Sequence, residues 1–419
     1  MTTKKRNNRE AGIAFVLVVL FLDVLGIGIV IPVLPGLVTS FVGGDASVAA
    51  PYYAALASVY AGVQFLFAPL VGALSDRFGR RSVLLIALSG FSLSYLVLAL
   101  APSLLWLFIG RVLAGVTGAT ITTVNAYIAD VSTPATRARN FGFVGVAFGL
   151  GFIFGPAIGG LLGGFGLRVP FIGSAIVALV GVAYGWFVLP ESLPPERRRA
   201  FAWNRIDPFR ALGGLRAYPL VAGLAVAFVF FTLAQRGLET VFVLYTDYRY
   251  AWGPSENGLA LALVGVMAAI VQGALVRPAV ARFGERTTIQ VGLTVSAIGF
   301  AGYALASEGW MLLAVLVFGS LGGVAGPAIQ GLVAGTVRPD EQGSVQGALT
   351  SVLSLTAILA PLVSGGLFAA FSGDAAIAEI PGMPFLVGSA LFVIALVLVR
   401  ATLRRNPEVA SNQAEAAVH

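Results

Sequence analysis

Apolar positions along the chain come in long runs, with polar residues gathered between the runs rather than alternating within them. Splitting the runs at Gly, Pro and charge clusters gives roughly twelve stretches of the ~20 residues that a helix needs to cross a bilayer. The spans are predicted to begin near Gly12, Pro51, Ser82, Ser103, Asn140 and Val169, then near Pro219, Glu256, Thr287, Gly309, Gln342 and Met383. The first run follows "KKRNNRE" as a signal peptide would. It is long, contains Asp23, Pro32 and Pro35, and lacks a small-residue cleavage site, so it reads as a retained helix that bends beyond Asp23. The expected fold class is an all-α integral membrane protein.

Composition agrees with lipid as the main solvent: 58% of residues are hydrophobic, 11% are charged, and the mean hydropathy is +0.91. The absence of cysteine excludes disulfides, thiolate metal sites and cysteine nucleophiles. The single histidine is His419, so histidine acid/base work and a histidine metal site are not expected. Lysine occurs only as Lys4 and Lys5, which leaves no phosphate loop for an ATPase. The chain does not read as an enzyme.

The net charge of +7 is explained by placement. Lys4, Lys5, Arg77, Arg80, Arg81, Arg137, Arg139, Arg282, Arg286, Arg338, Arg400, Arg404 and Arg405 fall on one side of the spans, while Arg168 and Arg249 lie on the other beside several acids. By the positive-inside rule both termini and the middle loop are cytoplasmic. The basic surface then fits topology and anionic lipid, not nucleic acid.

A repeat organises the chain. Arg77 recurs as Arg282, 205 residues on, and the same offset carries Gly79 to Gly284, Arg81 to Arg286, Pro134 to Pro339, Gly142 to Gly347, Pro156 to Pro361 and Gly160 to Gly365. One shift aligning several loops and helices indicates two six-span bundles, residues 1–190 and 219–405, joined by a polar linker at 191–218 and followed by a disordered tail at 406–419. Twelve spans in two parallel repeats is the architecture of a rocking secondary transporter, with its substrate site near mid-membrane between the halves.

The motifs agree with that architecture. "GALSDRFGRR" resembles the loop between spans two and three of the major facilitator superfamily, "IGRVLAGVTGAT" its fourth span, and "GLGFIFGPAIGG" the fifth-span pattern of its drug/proton antiporters. "LDVLGIGIVIPVLP", "GPAIQG", "EQGSVQGALTSVLSLTAILAPL", "LYTDYRYAW" and "SEGW" are similar to the tetracycline-resistance exporters. The resemblance covers nearly the whole chain and implies a twelve-helix transporter that works by alternating access.

Several residues carry candidate chemistry. In the loop after span two, Gly79 allows a tight turn and Gly72 a close helix approach. Arg77, Arg80 and Arg81 alone could mark topology, but Asp76 among them points to an ion-pair cluster, with Asp130 as the partner for Arg80 or Arg77. The resemblance implies that this cluster is a cytoplasmic latch. Gly151, Gly155, Pro156, Gly159 and Gly160 form a groove of small residues bent at a proline. By resemblance the pattern also marks exchange. Asp23 in the first span is a membrane carboxylate, expensive unless it works. A carboxylate whose exposure alternates can take up and release a proton, and Arg111 in span four is the natural candidate to pair with it or to lower its pKa when the site is empty. Arg236 and Glu239 share a helix face; they either neutralise each other or give a second proton site or substrate anchor. Gln64, Asn125, Gln272 and Gln330 could orient a ligand or hydrogen-bond between helices.

The resemblance to tetracycline exporters is incomplete. Those proteins carry Asp, His and Asp in spans three, eight and nine, where this chain has Ser94, Ala268 and Ser296. Those departures argue against their metal–tetracycline coupling route, whereas coupling through Asp23 with Glu239 stays open. The reading is a proton-driven exporter of a small amphipathic drug or metabolite in the inner membrane, working as a monomer, with protons as coupling ion and no bound cofactor or metal. A metabolite facilitator or symporter is the alternative, and a non-transporting sensor or scaffold a more distant one.

Overall fold

The computed structural model describes residues 3–118, 120–198, 218–338 and 341–405. Most of the expected linker, the expected tail at 406–419 and Pro339 lie outside the described residues, as do the side chains of Lys4 and Lys5. The elements are α1 (Thr3–Val30), α2 (Leu34–Phe41), α3 (Ala46–Phe78), α4 (Arg80–Leu100), α5 (Leu104–Thr117), α6 (Thr120–Val131), α7 (Pro134–Gly163) and α8 (Val169–Val188). They continue as α9 (Pro219–Tyr250), α10 (Pro254–Ile270), α11 (Val276–Leu305), α12 (Gly309–Ser320), α13 (Ala325–Thr336), α14 (Gln342–Ala370) and α15 (Met383–Arg405).

Caps set the helix ends where hydropathy placed them too far along. Asp45 accepts from the Ser47 and Val48 amides at 2.7 and 3.4 Å, so α3 starts at Ala46, ahead of the expected Pro51. Thr133 and Thr136 form a reciprocal capping box with proline next in the chain, which starts α7 at Pro134 rather than near Asn140.

Eleven segments among the described residues are long and apolar enough to cross a membrane, and one of them, Pro254–Leu305, is 52 residues long. Gly284 divides it, with φ 73° and ψ 162°. Gly79, between α3 and α4, has φ 98° and ψ 152°. Both conformations exclude most side chains, and they occur 205 residues apart, so the same turn joins equivalent spans in the two halves. Counting both sides of Gly284 gives twelve crossings.

Other breaks repeat as well. Span four pauses at Gly118 between α5 and α6, and its counterpart contains a 3₁₀ turn, Leu321–Val324, around Gly323. Both α7 and α14 run through an internal proline, Pro156 and Pro361. The halves differ in their first spans: residues 31–33 form a turn between α1 and α2, as Pro32 and Pro35 predict, whereas α9 is continuous. In span eight, π-helical residues Val271–Leu275 link α10 to α11.

The contacts form two compact units, Met1–Pro208 with Ala251–Gly265, and Phe209–Tyr250 with Val266–His419. In the first, α1 packs on α7 and α8, and α4 on α8; in the second, α9 packs on α14 and α15, and α11 on α15. The packing partners therefore follow the sequence repeat.

Candidate functional site: a polar cluster and a charged network in the first unit

Four spans of the first unit bring polar groups together around Asp23. The carboxylate sits on α1 with its residue 8% exposed, beside the buried hydroxyl of Thr120 at the start of α6. Tyr95 of α4 is in electrostatic reach of Asp23, Tyr60 and Arg111. Arg111 of α5 lies 4.2 Å from the Tyr60 ring centre and donates through Nε to the Leu56 carbonyl at 3.5 Å. This departs from the expected ion pair with Asp23, because the guanidinium finds an aromatic face and a carbonyl on α3 instead. Gln64 Nε2 donates to the Tyr60 hydroxyl at 3.2 Å and to the Gly118 carbonyl at 2.5 Å. The glutamine thus satisfies a backbone acceptor at the break in span four.

The glycine pattern holds Asp23 from behind. A Cβ on Gly155 would lie 2.7 Å from the Gly28 Cα, and one on Gly151 2.7 Å from Val24 Cγ1. Gly159 faces the Ile29 backbone in the same row. The side of α1 just after Asp23 therefore lies backbone to backbone against α7, which only glycine permits. Gly160 turns to another neighbour: its Cβ would meet the Pro254 carbonyl at 2.6 Å and the Gly258 Cα at 2.9 Å. That crossing ties the start of α10 into the first unit. Pro156 sits inside α7 without breaking it.

At the α3–α4 turn Arg80 is the centre of a buried network. Its Nη1 lies 2.6 Å from Asp76 Oδ1 and its Nε 3.1 Å from Asp130 Oδ2. Nη1 also donates to Ser75 Oγ at 2.8 Å. Arg80 is thus the partner that Asp130 takes. Arg77 lies exposed over Phe78, 5.1 Å from its ring centre, and Arg81 donates to the Trp186 carbonyl. A Cβ on Gly72 would meet nothing within 4 Å, so the close approach expected there is not made. At Gly79 a Cβ would collide with Glu191.

Glu191, assigned in the sequence only to the linker, belongs to this network. Its Oε1 accepts from the amides of Arg80, Ser192 and Leu193 at 2.9, 3.0 and 3.1 Å. A carboxylate at the first amide of α4 suits the positive end of that helix. Ser192 Oγ reaches Asp130 Oδ2 at 3.2 Å, and the Tyr127 hydroxyl donates to the Pro190 carbonyl at 2.9 Å. The network joins the end of span six to spans two, three and four.

The remaining candidates stand apart. Arg236 and Glu239 form an exposed ion pair at 2.7 Å on α9. Asn125 on α6, Gln272 in the π turn and Gln330 on α13 make no side-chain hydrogen bond with the described residues; Asn125 and Gln330 are repeat partners, 205 positions apart. Ser94 is buried and donates to the Phe91 carbonyl at 2.8 Å, while Ser296 packs against Gly322. Ala268 is half-buried on α10.

The sequence profile of the Major Facilitator Superfamily matches residues 16–279 and 240–418. The chain is 38% identical to the tetracycline resistance protein, class C, of Escherichia coli, over 90% of this chain and 94% of that one. It is 37% identical to the class G protein of Vibrio anguillarum, over 92% and 96%. Among solved structures, a bacterial homologue of the human lysosomal transporter Spinster aligns with a TM-score of 0.78, at 17% identity, over 95% of this chain and 97% of that one. With twelve crossings, a repeated fold and whole-length relatives of this kind, the chain belongs to the Major Facilitator Superfamily and is kin to its tetracycline resistance proteins.

Proposed function

We propose that the protein is a proton-coupled efflux transporter of a small amphipathic compound, tetracycline-like or multidrug, working by alternating access. The observation that carries this reading is Asp23, a membrane-buried carboxylate without an ion-pair partner among the described residues, set among Thr120, Tyr95, Tyr60, Arg111 and Gln64. Such a group is costly when charged and serves as a proton carrier when access to it alternates. The tetracycline resistance for which the class C and class G relatives are named supports the drug class. Ser94, Ala268 and Ser296 support a substrate route other than metal–tetracycline coupling.

In this reading Asp23 and Arg111 form the proton site, with Glu239 as a second carboxylate. Gln64, Asn125, Arg236, Gln272 and Gln330 line the substrate pathway. Asp76, Arg80, Asp130 and Glu191 hold the cytoplasmic gate. Residues 1–190 and 219–405 are the two moving bundles, both termini are cytoplasmic, and the monomer is the working unit with no nucleic-acid partner.

The test is compound-dependent proton movement. In inverted vesicles with an imposed, acid-inside pH gradient, an antiporter releases protons when a substrate from a tetracycline and multidrug panel is added. Failure of every compound to disturb the gradient, with the protein folded and inserted, would reject the reading. A compound driven in the same direction as protons would make it a symporter.

A further inference from the structure

We propose that the outer face of the second unit carries a specific site for an anionic phospholipid headgroup, built by α11 and α15. A groove of about 360 Å³ lies between these helices, lined by Thr287, Gln290, Val291, Thr294, Val295 and Arg400. Thr287, Val291 and Thr294 are exposed and recur on one face of α11, so the groove opens outward from the helix pair.

Its polar end presents donors. Arg400 donates through Nε to Gln290 Oε1 at 3.0 Å. That bond orients both partners: the arginine's two Nη groups and the glutamine's amide NH₂ make no bond to a described residue. Thr287 adds a hydroxyl that is likewise unbonded, and the lining holds no carboxylate. A guanidinium fork beside an amide and a hydroxyl complements a phosphodiester, which offers only acceptors and a negative charge. Val291, Val295 and Thr294, whose hydroxyl is taken up by the Gln290 carbonyl at 2.8 Å, continue the groove one to two turns farther from the Gly284 turn, where an acyl chain would run. Polar at the helix ends and apolar toward the bilayer centre is the profile of a lipid, and a soluble anion would have no use for the valines.

The first unit lacks this site. The repeat partners of Gln290 and Val291 are Leu85 and Ile86, and Ile86 is exposed. On the neighbouring helix Trp186 and Phe187 project outward, the usual aromatic anchor at a membrane interface. One unit therefore meets the interface with rings and the other with an anion-binding cleft.

Thermal unfolding of the purified full chain in detergent, supplemented with phosphatidylglycerol or phosphatidylcholine, tests the site. Phosphatidylglycerol should raise the Tm of wild type and phosphatidylcholine should not. Arg400→Gln should lose more than half of that rise, and Arg404→Gln, one turn away at the helix end, should keep it. Equal losses in the two variants would mean diffuse attraction to a basic helix end and would overturn the site, as would a full rise in Arg400→Gln. Inorganic phosphate alone reproducing the rise would overturn the lipid as occupant. Should Arg400→Gln not fold, Arg400→Lys keeps the charge without the fork; a partial rise supports the site and an undiminished one rejects it.

Discussion

The two halves share a backbone plan and differ sharply at one set of repeat positions. In the first, Asp23, Tyr60, Gln64, Tyr95, Arg111 and Thr120 form the polar cluster. Their partners 205 residues later are Phe228, Gly265, Ala269, Phe300, Leu316 and Ala325. Every polar group has an apolar replacement. Phe228 stacks on Phe231 at 5.5 Å, Phe231 meets Phe392 edge-on at 5.5 Å, and Phe392 meets Phe300 at 4.8 Å. The second half is thus sealed by interlocked rings where the first holds titratable chemistry. The charged network follows the same asymmetry: Asp76, Arg80 and Asp130 become Ala281, Glu285 and Gly335. Duplication supplied the frame, and ionic chemistry is concentrated in one copy of it.

The largest expected effect comes from forcing the halves to match. Phe228→Asp would place an acid among rings with no partner, at ~2.5–3.5 kcal/mol for a charge at the centre of a membrane helix, in addition to the lost packing. Folded yield and Tm should fall steeply, with Phe228→Leu far milder. If Phe228→Asp were as stable as wild type, the second half would be shown to tolerate a carboxylate, and the contrast would lose its physical basis.

Arg80→Ala should come next. Removing one member of a buried charge network typically costs ~3–5 kcal/mol when its partners stay unpaired, reduced here by the partial exposure of Asp76 and Asp130. Arg77→Ala, at an exposed side chain, should change stability by no more than about ±0.5 kcal/mol and leave Tm nearly where it was. Equal effects from the two would reject Arg80 as the centre of the network. Within the polar cluster, Tyr60→Phe keeps the ring under Arg111 and removes the hydroxyl that Gln64 reaches, a loss of ~0.5–1.5 kcal/mol. Efflux should weaken modestly, whereas Tyr60→Leu, which removes the ring too, should weaken it further.

Asp45→Ala should cost ~1 kcal/mol for a lost N-cap. The Ser47 hydroxyl, with the Ser47 and Val48 amides, holds the Asp45 carboxyl below the usual carboxylate value. A group with a lowered folded-state pKa contributes its stability above the unfolded value of about 3.9 and loses it as pH falls through the folded value. The Tm gap between wild type and variant should therefore be present at pH 7 and shrink below about pH 4. A gap that widens on acidification would contradict the assignment.

Much of this was legible in the sequence, for definite reasons. Hydropathy gave the spans, and Gly79 with Gly284 gave the repeat because their turn requires glycine. Asp23, Arg80 and Asp130 stood out because charge is rare in an apolar chain. Tyr60 and Tyr95 did not, since a tyrosine in an apolar run reads as packing until its neighbours are known. Glu191 was hidden beside Pro190 at the start of a polar linker, and only the fold brings it to the first amide of α4. Of the two roles open to Arg111, the ion pair with Asp23 is not made, because sequence offers charges as partners while the fold offers the Tyr60 ring and the Leu56 carbonyl.

The central claim is that Asp23, in the first half, is the principal carrier of the coupled proton. Compound-dependent proton release from inverted vesicles, with wild type beside Asp23→Asn at matched protein levels, tests it most directly. Wild type should release protons and Asp23→Asn should not, although the variant inserts and still binds the compound. Undiminished release by Asp23→Asn would contradict the claim and move the coupling site elsewhere in the chain.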